Sequence, residues 1–438
     1  MTETLTVTDR LAVTDRLAVT GMTVHRAPWL LPIRHPPLAD GGIAVRAGQI
    51  LDIGDFKQVA RNYPDAEIID HPDTVLMPGL INAHTHLELS HLAHLSQEPS
   101  PSSFTGWIGH MLAERAKADA DKKTILDAAL AVLAQQQEQG VVAIADISNT
   151  DLIRELIPEF SGRLLCLKEY LGLRASELAA SLNSLKEDAN YSDNHPDICC
   201  TAHAPYSTHI DLLRALKNRA TRLGQIFSIH TAESTAEHDM ISQGTGKMRE
   251  FLEQRGFWES SFQPTGSDSK GSVSYLHQHG LLDSRTLCVH CLHVTDQEID
   301  LLSEIGTKVC LCPGSNRYLD VGTAPVEKYL RKGILPALGT DSLTSNPELS
   351  IWREMRLLAE EHPTVDPANI LRMATLGGAE ALGLDKQLGS LEPGKKAAIS
   401  AVKLAGPVRD ALSLAEYVVY QTIKSNSVYY LAKPFNFY

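Results

Sequence analysis

Two histidines one residue apart, His84 and His86 in Asn82-Ala83-His84-Thr85-His86, are the densest sign of chemistry in the chain. Successive strand residues alternate faces, so the two imidazoles point the same way. Zinc and its neighbours favour nitrogen ligands about 2.0–2.1 Å away. An H-x-H pair alone is as readily two surface or core histidines. Its weight comes from ionisable residues that close other apolar runs: His203 in HAPY, His230 and Glu233 in HTAE, His290, and Asp341 in LGTDS. Each of these taken singly is more often a satisfied core or loop residue. Recurring together at strand ends, they are hard to explain by packing, and strand ends are where barrel enzymes build their sites.

The roles follow from the residue types. The three imidazoles of His84, His86 and His230 and the Asp341 carboxylate would bind one divalent cation and leave a position for water. The cation would bring that water's pKa toward ~7, making hydroxide available at neutral pH. Glu233, three residues past His230, could take the water's proton and pass it to a leaving group. His290 could hydrogen-bond the hydroxide or an oxyanion.

Elements must carry these residues to one place. From Thr74 onward short apolar runs alternate with amphipathic segments, the pattern of repeated βα units and a parallel sheet. Eight strands are predicted: Val75–His86, Val141–Ile147, Arg163–Leu171, Ile198–Pro205, Gln225–Glu233, Thr286–His293, Lys308–Asn316 and Leu335–Asp341. Helical patterns such as Asp121–Gln139 and Asp211–Leu223 lie between most of them. Eight such units favour an α/β fold of the (β/α)8 TIM-barrel type. Before it, Gly42–Ile53 reads as two short strands around an Ala47-Gly48 turn. After it, Ile370–Leu384 reads as helix, and Tyr417–Thr422 and Ser427–Leu431 as strands that pair with the N-terminal ones in a small β-sandwich. The expected organisation is an extension over 1–21, the N-terminal segment of the sandwich over 22–75, the barrel over 76–384 and the C-terminal segment of the sandwich over 385–438. The extension carries a near-exact hexapeptide repeat, LTVTDR then LAVTDR and the start of a third copy, too short for a solenoid.

Composition bounds the partners. The chain has 438 residues, 43% hydrophobic and 21% charged, with a formal net charge of -13 and no Lys/Arg-rich run. That argues against nucleic acid or an anionic membrane as main partner and leaves a small-molecule substrate. No apolar run reaches transmembrane length, and Met1–Gly21 does not read as a secretory signal. Seven scattered cysteines suggest reduced thiols and a cytoplasmic protein. Cys288 and Cys291 form a lone C-x-x-C, but on a strand positions three apart face opposite sides. The long connection Ser234–Arg285, with its polar stretch Glu259–Gly271, could be a lid, a contact in a homo-oligomer or an idle insertion.

Rival motifs fail. His86-Leu87-Glu88 is an H-x-E, yet the P-C-x-x-C half of a cytidine-deaminase-type zinc signature is missing. Glu88 could face substrate or support the ligands from behind. Trp107 could stack on a substrate ring or sit in the core. No G-x-S-x-G elbow, P-loop or dinucleotide fingerprint occurs.

The stretches PGLINAHTHLELS (Pro78–Ser90), HAPYS, HTAES, VHCLH (Val289–His293), CPGSN (Cys312–Asn316), LGTDSLTSN (Leu338–Asn346) and GSLEPGKKA (Gly389–Ala397) resemble the amidohydrolase superfamily. Within it the chain resembles the adenosine/cytosine-deaminase and chlorohydrolase-like branch. The matching stretches follow the family's order over roughly residues 22–400. The resemblance implies a mononuclear site with zinc, or sometimes iron, on His84, His86, His230 and Asp341. It also implies Glu233 as proton shuttle, His290 beside the hydroxide and His203 facing substrate. The runs THLELS, FTGWI (Phe104–Ile108), Lys168-Glu169-Tyr170 and CPGSN are similar to proteins grouped with aminodeoxyfutalosine deaminase of menaquinone synthesis. S-adenosylhomocysteine or methylthioadenosine deaminase is a near neighbour. The shared reaction is hydrolytic loss of the 6-amino group of an adenine ring. Chlorohydrolase or amide chemistry on another heterocycle would use the same metal, and some relatives of this fold are non-enzymatic binding proteins. Three departures stand out: Ala397-Ala398-Ile399-Ser400 where relatives have an Asp-Leu strand, the tail through Tyr438, and the hexapeptide repeat.

Overall fold

The computed structural model describes residues 21–192, 195–404, 406, 408, 410–420 and 428–430. The hexapeptide repeat lies outside the described residues. Near the N-terminus, β1 (Met22–Leu30), β2 (Leu38–Arg46), β3 (Gln49–Asp55), β4 (Glu67–Asp70) and β5 (Thr74–Pro78) form most of a small sheet. The β2–β3 hairpin turns at Ala47 (φ 49°) and Gly48 (φ 72°), two left-handed residues in succession, the turn that best matches strand twist.

The barrel strands follow. They are β6 (Leu80–Thr85), β7 (Val141–Ser148), β8 (Arg163–Tyr170), β9 (Ile198–Ala202), β10 (Phe227–Thr231), β11 (Thr286–His290), β12 (Lys308–Leu311) and β13 (Ala337–Leu338). They run parallel in two four-stranded sheets, β6-β7-β8-β9 and β10-β11-β12-β13. Every residue of β6, β7, β9, β10 and β11 is buried, as parallel strands covered on both faces require. Two seams close the barrel. His230 N donates to His203 O at 2.9 Å, and Thr340 N and Asp341 N donate to His84 O at 2.9 and 3.1 Å. Both seams therefore fall at residues singled out for chemistry.

The chain returns to the small sheet with β14 (Ile399–Lys403), antiparallel to β5 from Ile399 opposite Pro78 to Lys403 opposite Thr74, and β15 (Val428–Tyr430) on its outer side. The unusual Ala397–Ser400 run thus still delivers a strand. In the described residues this domain is one seven-stranded sheet. One face packs Leu30, Ile43, Ile50, Leu76 and Ile399, and the other packs Val24 and Ala44 against Val59 of the helix Phe56–Asn62.

Three expectations are corrected. Val75–His86 is two strands, because the chain leaves the small sheet for the barrel at Gly79. A Cβ there would lie 2.1 Å from Val142 Cγ1, so only glycine allows the crossing. Tyr417–Thr422 is not a strand: Ala411–Tyr420 is helix, and residues 421 and 422 lie outside the described set. The β-branched Val418-Val419 pair suggested a strand, yet Leu414, Ala415, Val418 and Val419 are the buried set, a helical period against the main core. Lys308–Asn316 stops as a strand at Leu311 and continues as the helix Pro313–Leu319, with proline in its first turn.

The small sheet also holds a buried histidine pair. His25 Nδ1 lies 3.0 Å from His71 Nε2, with the rings stacked at 5.3 Å. Burial, with the charge of His71 as a lesser influence, pushes His25 down to about 3, and burial, opposed in part by Asp70, pushes His71 down to about 4. Unfolded, both take protons near 6.5. Folded-state values depressed this way leave stability untouched above pH 6.5 and remove it as pH falls from there toward 4, because the unfolded chain binds more protons. The double variant His25→Gln/His71→Gln should lose less melting temperature between pH 7.5 and 5 than the wild type. Equal losses in thermal scans would contradict this.

Candidate metal centre and active site

The ends of β6, β10 and β13 bring four side chains together. Ligand atoms of His84, His86, His230 and Asp341 lie within 4.8 Å of one another. His84 Nε2 is 3.7 Å and His86 Nε2 3.4 Å from Asp341 Oδ1. The His84 ring meets those of His86 and His230 edge-on at 4.9 and 4.8 Å.

The backbone needed to do this is unusual. Ala232 (φ 54°), His290 (φ 73°) and Asp341 (φ 56°) are left-handed without being glycine. Such residues cost energy that the surroundings must offset, and they gather at functional sites. Gly339 lets β13 approach β6, since a Cβ there would lie 2.8 Å from His84 Cβ and 2.9 Å from Cys310 Sγ.

Hydrogen bonds orient each group. His230 Nδ1 donates to His203 O at 2.9 Å, which leaves Nε2 as the lone-pair nitrogen. Asp341 Oδ2 accepts from Ser315 Oγ at 2.6 Å and Ser345 Oγ at 2.9 Å, which turns Oδ1 toward the imidazoles. His290 Nδ1 donates to Asn316 Oδ1 at 3.0 Å, and its Nε2 lies 3.5 Å from Glu233 Oε1. Glu237 holds the Glu233 turn: its carboxylate accepts from Ala232 N and Glu233 N, both at 2.8 Å.

Burial sets the protonation states. It lowers His86 to about 3 and His203 and His290 to about 4, and His230 well below its usual value, so all are neutral at pH 7. Burial alone would raise Asp341, but any proton the cluster takes up goes to His84, His86 or His290 before the carboxylate, so its pKa lies well below the usual range. Burial raises Glu233 well above the usual carboxyl range, helped by Asp341 and Glu237. Neutral imidazoles beside one carboxylate are the form that ligates a metal, while a high-pKa carboxyl is suited to carrying a proton.

The donor set fits a divalent cation. His84 is fully buried, and neither of its ring nitrogens has a hydrogen-bond partner. His290 Nε2 is orphaned too. Buried polar atoms are rarely left unpaired unless something else engages them.

Other expected residues fall around this centre. His203 follows β9, with its ring 4.9 Å from that of His230 and Nδ1 2.6 Å from Ser207 Oγ. Both oxygens of Glu88 are occupied, Oε1 by Arg115 of the helix Phe104–Ala118 and Oε2 by Thr150 N and Oγ1. Trp107 stacks on Phe104, and its Nε1 donates at 3.2 Å to Thr344 O in the loop after Asp341. The C-x-x-C does not lie wholly on a strand as expected: the strand ends at His290 and Cys291 is left-handed (φ 48°), with both thiols free and buried.

Sequence reasoning passed over Ser315, Asn316, Ser345 and Glu237. Their signal was adjacency, inside CPGSN, LGTDSLTSN and the turn after HTAE. It also passed over Glu169, which burial lifts to about 8 and whose Oε1 is 3.7 Å from His230 Nδ1.

The sequence pattern of the amidohydrolase family matches residues 75–436. The chain belongs to the amidohydrolase family. As a member it is a hydrolase acting on C–N bonds, and His84, His86, His230 and Asp341 form a cluster that could hold a divalent metal ion. A 5-methylthioadenosine/S-adenosylhomocysteine deaminase of Nitratidesulfovibrio vulgaris (strain DSM 19637 / Miyazaki F) is 30% identical over 397 residues, 87% of this chain and 83% of that protein. An adenosine deaminase from Xanthomonas campestris, solved with bound zinc, is 25% identical with a TM-score of 0.76, over 94% of this chain and 92% of that one. The aminofutalosine deaminase of Helicobacter pylori, solved with methylthio-coformycin, shares the fold with a TM-score of 0.79 at 24% identity, over 94% of this chain and 99% of that one. Among the described residues no helix is long and apolar enough to cross a membrane.

Proposed function

We propose that this amidohydrolase is a hydrolytic deaminase that replaces the 6-amino group of an adenine nucleoside derivative with oxygen and releases ammonia. His84, His86, His230 and Asp341 hold the cation, which we take to be zinc, with iron as the alternative. The observation that carries the reading is the convergence of orphaned nitrogens on His84 and His290 with the buried Glu233 carboxyl and the Asp341 carboxylate. When bound, the cation supplies hydroxide at neutral pH by lowering the pKa of a water from 15.7 to about 7.

The chain's own groups do the rest. Glu233, held by Glu237, takes the proton that water gives up and delivers it to a ring nitrogen of the substrate. Oxygen adds to C6, the C6–N bond breaks, and a second proton passing through Glu233 lets nitrogen leave as ammonia. One water is consumed and one ammonia formed. His290, fixed through Nδ1 by Asn316, presents Nε2 to the attacking oxygen. We assign His203 and Trp107 to contact with the substrate ring.

The names of the relatives support an adenine nucleoside as substrate, and aminodeoxyfutalosine, as in menaquinone synthesis, is our first choice. A methylthioadenosine or S-adenosylhomocysteine deaminase is the second reading, favoured by the identity to the Nitratidesulfovibrio enzyme over most of both chains. Steady-state kcat/KM of the zinc-loaded protein on aminodeoxyfutalosine, methylthioadenosine, S-adenosylhomocysteine and adenosine tests this. One of the four should be preferred by at least tenfold, about 1.4 kcal/mol of differential transition-state binding. No turnover of any would overturn the adenine reading and move the search to chlorinated rings and amides.

A further inference from the structure

Glu354, on the helix Ile351–Glu361, is a fully buried carboxylate that touches none of the four ligands. Its Oε2 accepts from Gly314 N at 2.6 Å, and its Oε1 accepts from Asn346 Nδ2 at 2.8 Å. Asn346 Nδ2 also donates to Thr340 O at 2.8 Å, and Arg353 Nη1 donates to Asn346 Oδ1 at 2.5 Å. The two arms lead to different regions of the active site. Gly314 precedes Ser315, which holds Asp341, and Asn316, which holds His290. Asn346 closes the loop that starts at Asp341, and Ser345 just before it holds the same Asp341 oxygen.

The junction has no slack. A Cβ on Gly314 would lie 2.5 Å from Glu354 Oε1 and 2.6 Å from both Arg353 Nη1 and Asn346 Nδ2. Both arms present donors. A carboxylate accepts on both oxygens, whereas an amide of the same size would set its own N–H2 against one of the two donors.

We propose that Glu354 is a positioning residue that locks the start of the helix Pro313–Leu319 to the Asp341 loop, so that one buried carboxylate sets Asp341 and His290 together. This rests on the reading of Asp341 as a metal ligand and His290 as a catalytic group. Small displacements matter at such a place, since misplacing a reacting group by about 1 Å can cost on the order of 100-fold in rate.

The test is Glu354→Gln in the full chain, with two readouts. Zinc affinity is measured by competition with a chromogenic chelator, and kcat and KM are measured on the preferred nucleoside. Groups behind metal ligands are worth about 10- to 100-fold in affinity or activity. We expect zinc affinity and kcat each to fall within that range while KM changes little. Adding Asn316→Ala to Glu354→Gln should lower kcat little further, because both act on the same arm. Asn346→Ala, which removes only one arm, should show the same pattern in smaller measure and serves where Glu354→Gln does not fold. A variant that melts earlier but keeps wild-type zinc affinity and kcat would overturn the proposal, since Glu354 would then only stabilise the fold. The chelator arm needs no substrate, so it decides on Glu354 even where the deaminase reading fails.

Discussion

Asp341→Asn should leave the protein folded but strip it of metal and turnover. Asparagine tolerates the left-handed backbone at this position (φ 56°), so the change is not a folding defect. The loss comes from chemistry on both sides of the carboxylate. Oδ2 accepts from the hydroxyls of Ser315 and Ser345, while Oδ1 faces the His84 and His86 nitrogens. An amide must point its N–H2 either at the two serines or at the cation, and it has lost the charge that offsets the cation's own. Loss of groups behind a ligand costs about 10- to 100-fold, so loss of the ligand itself should exceed ~100-fold in metal affinity. Metal analysis after gel filtration should find the variant empty. A variant with one metal per chain and full activity would refute the role of Asp341.

Glu233→Gln should have the opposite signature, with metal kept and catalysis lost. Glu233 is outside the four-ligand cluster, and its backbone N–H would still bond to Glu237. Glutamine keeps the size of the side chain but cannot gain and release a proton. The expected fall is at least ~100-fold in kcat, with KM little changed, the usual scale for a lost acid–base group. Turnover near the wild-type rate would place the proton shuttle elsewhere.

The residues behind these two predictions were legible in the sequence. His84, His86, His230, Glu233 and Asp341 could be read from short motifs because each closes an apolar run, and eight such runs suggested the barrel. What holds them could not be read that way. Ser315 and Ser345 reach Asp341 from two separate segments, and Glu354 joins those segments from a third. Only the folded chain brings these donors and acceptors within hydrogen-bond distance. Glu88 was ambiguous for the same reason, since its partners Arg115 and Thr150 lie on other elements. Local pattern misled where a short apolar run fits two periods. Tyr417–Thr422 looks like strand by residue type, and packing makes its described part, Tyr417–Tyr420, helix. Gly79 divides an apparently continuous strand because a neighbouring valine leaves no room for a side chain.

The most direct test of the central claim is turnover in 18O-labelled water. The zinc-loaded protein is given the adenine nucleoside it prefers, and product and ammonia are quantified together. Hydrolytic deamination predicts one 18O atom at C6 of the product and one ammonia for every nucleoside consumed. A nucleoside consumed without ammonia, or a product carrying no label, would contradict it.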